Sequence, residues 1–136
     1  EDGNEEDVSS ASLATFIGYE FSDKFRLGAE YNLLTNATKY SAAAKDKDRT
    51  GISVYSTYTF SNKWEAFGRY DKLSSNKLSG ESETWNIENN GSAITTGVQY
   101  APVNGVKMAF NYQGFNYKQA GTETNSVLYF NFEFQF

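Results

Sequence analysis

Glu20, Arg26, Glu30, Glu65, Arg69, Asp71, Lys107 and Glu133 stand at alternate positions of segments whose intervening residues are mostly apolar. Side chains of an extended strand point alternately to its two faces, so this spacing collects the charges on one face. The chemistry open to them is electrostatic. Carboxylates and cations on a wetted wall can pair across strands and bias which ions pass; the same array can also be a solvated face without selectivity. Burial of each such group unpaired in a dry core would cost roughly several kcal/mol, which points to contact with water. Covalent chemistry has little to work with. The chain contains no His and no Cys, removing the commonest general base, the commonest transition-metal ligand and the thiolate. The acidic stretch EDGNEED, Glu1 to Asp7, has oxygen donors suited to Ca2+, but it lacks the Gly and the closing Glu of an EF-hand loop and reads as an exposed acidic loop. Asn36 and Asn90 begin glycosylation sequons. No catalytic residue, metal site or cofactor is expected, and the chain is not read as an enzyme.

The elements that carry these charges are strands. Period-two alternation runs through nearly the whole chain, and no stretch has the helical repeat. Leu13, Thr15, Ile17, Tyr19 and Phe21 lie on one face of the first segment, with Ser12, Ala14, Phe16, Gly18 and Glu20 on the other. The hairpin YEFSDKFRLGAEYNLL, Tyr19 to Leu34, returns 39 residues later as YTFSNKWEAFGRYDKL, Tyr58 to Leu73. Seven strands are expected, at about 10–21, 25–37, 49–60, 64–73, 92–100, 106–116 and 126–136, after an acidic segment over 1–9 read as the remnant of an external loop. Tight turns at SDK, SNK and APVNG alternate with long polar connections, so one rim of the sheet has corners and the other has loops. Closing Phe21 onto Phe25 sets Glu20 opposite Arg26, and the same count sets Tyr55 opposite Arg69 and Ser53 opposite Asp71.

Bulk composition narrows the setting. A 136-residue chain with a single Pro has the size of one domain. Its net charge of −5 comes from Glu1, Asp2, Glu5, Glu6 and Asp7; the other 12 carboxylates balance 12 Lys and Arg. Without a basic excess, a nucleic-acid partner is not expected. A mean hydropathy of −0.61 and the lack of a long apolar run exclude a membrane-spanning helix, though not a spanning strand, and the acidic start does not read as a secretory signal.

Four features favour a membrane barrel over a soluble sandwich. The strands run to about 11 or 12 residues, beyond the usual 5 or 6 of globular sheets and enough to cross a bilayer obliquely. Loop lengths alternate as in outer-membrane barrels. The apolar face has aromatics beside the tight turns (Tyr19, Phe21, Phe25, Tyr58, Phe60, Trp64, Tyr100, Phe134, Phe136) and a second set toward the long loops (Tyr31, Tyr70, Tyr112). The chain ends in Phe after an alternating aromatic run.

FSNKWEAFGRYDKL, GVQYAPVNGVKMAFNY and the terminal SVLYFNFEFQF resemble the C-terminal part of Gram-negative outer-membrane porins of the phosphate-selective porin type, and FIGYEFSDKFRLGAEYNL resembles the preceding hairpin of such barrels. The resemblance implies an antiparallel up-and-down transmembrane β-barrel of about 16 to 18 strands, to which this chain contributes about seven. It further implies homotrimers, outer-membrane lipid as solvent, and passive diffusion of small hydrophilic, often anionic solutes. Tyr129, Phe132, Phe134 and Phe136 match the terminal signal read by the barrel-assembly machinery. The eight charges would line the lumen; with five carboxylates against three bases, they do not support anion selectivity. Bacterial single-chain barrels have even strand numbers, so seven strands imply that further strands precede Glu1 or come from another chain. A structural or partner-binding barrel in an envelope complex, with Phe16, Phe67 or Phe115 plugging the lumen, is an alternative. A soluble lipocalin-like binder, with its aromatic face turned inward around a ligand, is another.

Overall fold

The computed structural model of the chain describes residues 9–37 and 46–135. Within them, alternation and turn chemistry produce one antiparallel sheet: β1 (Ala11–Ser22), β2 (Phe25–Thr35), β3 (Arg49–Ser61), β4 (Trp64–Ser75), β5 (Gly91–Val103), β6 (Val106–Tyr117) and β7 (Asn125–Phe134). Spatial order equals chain order. The strand ends differ from the alternation pattern by up to three residues: Ser74 and Ser75 extend β4 by pairing with Thr50 and Arg49, β5 runs on through a register shift to Val103, and β2 and β7 stop short, at Thr35, before Asn36 turns to φ 49°, and at Phe134. Residues 1–8, expected as an external-loop remnant, and Phe136, expected to close the terminal aromatic run, lie outside the described residues.

The repeated corners have one construction. In the first, Ser22 Oγ accepts the backbone N–H groups of Lys24 and Phe25 at 3.3 and 3.2 Å; in the second, Ser61 Oγ accepts those of Lys63 and Trp64 at the same two distances. A Ser at that place offers the turn a local acceptor, which is the reason the S-x-K pattern recurs. The third corner uses Asn104-Gly105 instead, with Gly105 at φ 79°, a left-handed conformation that suits Gly.

The corners step along the sheet. Phe25 pairs with Tyr58 and Tyr58 with Ala66, so β4 begins two residues beyond the row of Phe25. That row continues through Val98 to Phe110, and β6 begins four residues beyond it, at Val106. The step is one residue per strand. With strands about 4.8 Å apart and a rise of about 3.3 Å per residue, strands lean about 35° from the perpendicular to the line of corners. Tyr31, Tyr70 and Tyr112 each lie six residues into their strands, so the second aromatic set runs parallel to the corners.

Exposure is inverted with respect to a soluble sheet. On the inner strands Ser53 and Asn111 of the polar face are only 7 % and 5 % exposed, while Ile52, Ile94 and Phe110 of the apolar face are 46 %, 47 % and 50 % exposed; β1 and β7, at the edges, are exposed on both faces. No second layer covers the apolar face among the described residues, and its one charge there is Lys72, toward the long loops. The sheet is open: β1 and β7 pair only with β2 and β6, and the described residues do not close into a barrel.

Candidate functional site

Register puts the eight charges of the pattern on one face. Glu20 opposes Arg26, Glu30 opposes Ser53, Ser53 opposes Asp71, Tyr55 opposes Arg69, and Lys107 opposes Glu133. Side-chain pairing follows a different map. Arg26 leaves Glu20 and reaches across β3 to Glu65, with Nη2 2.6 Å from Oε2 and Nε donating to Thr57 Oγ1 at 3.0 Å. Thr59 Oγ1 donates to the same carboxylate at 3.1 Å. The expected Glu20–Arg26 neutralisation is therefore corrected: two strands is a span of about 10 Å, which an extended Arg covers, and Glu65 offers a hydroxyl-supported carboxylate at the end of it. Among the described residues Glu20 has no ion-pair partner.

Arg69 pairs along its own strand. Its Nε lies 2.9 Å from both carboxylate oxygens of Asp71 and its Nη2 2.8 Å from Oδ1; Ser53 Oγ donates to the same Oδ1 and accepts from Arg69 Nη2 at 3.3 Å. Glu30 accepts the amide of Asn32 at 2.7 Å. Lys107 and Glu133 stand 3.7 Å apart at the surface, a loose pair of little energetic weight.

Aromatics share this face. Tyr55 lies over Gly28, where an added Cβ would collide with its ring, and Phe67 Cζ stands 2.7 Å from where a Cβ on Gly97 would be. Each is a directly opposed cross-strand pair in which a ring shields a backbone without a side chain. The Phe16 and Tyr55 rings are parallel within 2° with centroids 5.6 Å apart, and the Arg69 guanidinium sits 5.9 Å above Tyr55. Phe16, Gly18, Glu20, Arg26, Gly28 and Tyr55 line a hollow of about 410 Å3.

The long-loop rim is built rather than loose where it is described. Asp48 accepts from the Asn36 backbone and donates its own N–H to the Asn76 side chain, whose amide donates to the Asp46 carbonyl. Trp85 donates to the Asp48 carbonyl at 3.0 Å, and the cations of Arg49 and Lys47 lie 5.6 and 5.7 Å from its ring. Asn90, 1 % exposed, donates to Ser75 and Thr84. Its amide nitrogen is thus committed internally and its side chain is shielded from solvent. Arg49 is a further polar-face cation beyond the eight charges of the pattern, and its odd-numbered place in the alternation of β3 is the sequence signal for it. Of the terminal aromatics, Phe132 and Phe134 project to the apolar face and stack, while Tyr129 points to the polar face opposite Asn111.

No family model, no curated protein and no solved structure matches the chain.

Proposed function

We propose that this chain is part of the wall of a porin-type β-barrel in the outer membrane of a Gram-negative bacterium, its polar face lining a channel for passive diffusion of small hydrophilic solutes or ions. The observation that carries the reading is the inverted exposure: a continuous apolar face, bearing one Lys and no other charge, lies uncovered while the charged face is the more enclosed. Soluble monomers rarely leave so large an apolar surface in water, whereas lipid is the solvent it suits. The lean of about 35° derived from the corners falls within the strand tilt of membrane barrels, and it keeps both aromatic sets parallel to one plane, as an interface requires.

Closure needs further strands. Both edge strands run in the same direction, since six reversals separate them, so an all-antiparallel ring needs an odd number of strands besides these seven. An upstream segment or another chain supplies them in this reading, since an open edge is not tolerated in lipid. Tyr129, Phe132, Phe134 and Phe136 serve as the assembly signal, and the barrels associate as homotrimers of the phosphate-selective porin type. The wall carries Glu20, Glu30, Glu65, Asp71 and Glu133 against Arg26, Arg49, Arg69 and Lys107, a balance that favours weak cation preference over anion selectivity. The chain performs no catalysis.

Reconstitution of the intact protein into planar bilayers tests this. Stepwise conductance with a small cation preference is expected; a protein that stays monodisperse in plain buffer and inserts nowhere sinks the reading. A second reading, a partner-binding barrel, draws on Phe16, Phe67 and Phe115 on the polar face and predicts insertion without current. The soluble binder would need the aromatic face to be the enclosed one.

A further inference from the structure

We infer that the hollow between Phe16 and Glu20 binds a small organic cation, an ammonium with apolar substituents. Three observations meet there. Phe16 stands on the edge strand β1, all twelve residues of which are exposed, and at 59 % its own ring faces water. Its ring leans along β1 over Gly18, where an added Cβ would lie 2.9 Å from its Cζ; opposite, Tyr55 leans over Gly28. Two paired glycines thus let two parallel rings pave one row of the sheet.

The next row along the strands carries the charge. Glu20 is two residues beyond Gly18, about 6.6 Å along the strand, and lines the same hollow as the Phe16 and Tyr55 rings. The register partner that would have neutralised Glu20 is Arg26, and Arg26 is held by Glu65 at 2.6 Å. Row by row, the polar face of β1, β2 and β4 between the corners and the rim holds four carboxylates, Glu20, Glu30, Glu65 and Asp71, against the guanidiniums of Arg26 and Arg69. Carboxylates outnumber cations on this part of the face, and an aromatic face adds its own attraction for cations. The Arg69 guanidinium lies over the Tyr55 ring at 5.9 Å, and among the described residues no Lys or Arg is placed over Phe16. A neutral solute would gain the rings but not Glu20, and an anion would meet the carboxylates.

The inference needs only a water-accessible polar face, conducting or not, so the test reads binding and not current. The intact protein in micelles is titrated with choline at low ionic strength, followed by calorimetry and by saturation transfer to the ligand methyls. Saturable binding is expected. Phe16→Leu keeps an apolar cover over Gly18 and removes the ring; Glu20→Gln removes the charge and keeps the shape. Each should weaken choline roughly twofold to fivefold, and Glu123→Gln, in the β6–β7 connection, should not. The neutral alcohol with carbon in place of the ammonium nitrogen should bind at least fivefold more weakly than choline, by the same reasoning. Choline and the alcohol binding equally, affinity unchanged in both variants that retain the wild-type far-UV spectrum, or no saturable binding to the folded protein would each overturn it. Because Glu20→Gln changes no volume, it remains informative if Phe16→Leu fails to fold.

Discussion

Tyr55 over Gly28 is the tightest ring-on-backbone fit of the sheet, and it turns a single hydrogen atom into a structural requirement. Gly28→Ala would drive a methyl into the ring and should cost about 1–3 kcal/mol as overpacking, read from the denaturant midpoint in micelles. Gly51→Ala, whose nearest neighbour would be 3.6 Å away, should stay within about 0.5 kcal/mol of wild type. The alternation predicts that Gly28 and Tyr55 share a face. It carries nothing about how a ring lies on that face, because the ring angle is set by packing with Phe16 and Arg69 from other strands. Charge pairing has the same character. Arg26 and Glu65 are 39 residues apart and two strands removed, a partnership that nearest-neighbour counting cannot find. Arg26 is 56 % exposed, so a double-mutant cycle of Arg26→Ala and Glu65→Gln should return a coupling of no more than about 1 kcal/mol.

Connections divide by how much of their order is local. The tight corners are legible residue by residue, since a Ser acceptor or an Asn-Gly step is enough to turn the chain. The β4–β5 connection reads only as polar and long, yet its described residues fold back on the rim through Trp85, Asn76 and Asn90. Asn90→Ala would leave Ser75 and Thr84 without their buried donor and should cost the segment about 1–3 kcal/mol. Faster amide exchange confined to residues 76–90, with the strand cores unchanged, is the expected signature; protection identical to wild type would show that the loop does not depend on Asn90.

Across the whole molecule, the two faces of the sheet make opposite demands. Val98 lies between the two aromatic sets on the apolar face, and Gln99 beside it points to the polar face. If lipid covers the apolar face, Val98→Arg should destabilise the inserted protein by about 2–4 kcal/mol, with Gln99→Arg costing about 0.5 kcal/mol or less. Equal, small effects in refolding titrations would point to water on both sides. This contrast can be drawn before any transport is measured.

Alternation, corner residues and the count of positions between them determined the strands, the register and the division into a charged and an apolar face, because each depends on neighbours in sequence and on a period of two. The sequence also carried the odd strand number. Only the tertiary structure decided which charges pair, that Glu20 has no ion-pair partner among the described residues, that a long polar loop folds over the rim, and that the described strands do not close on themselves. These depend on side-chain reach across several strands and on packing between distant segments, where local pattern exerts no control and close approach of the atoms does.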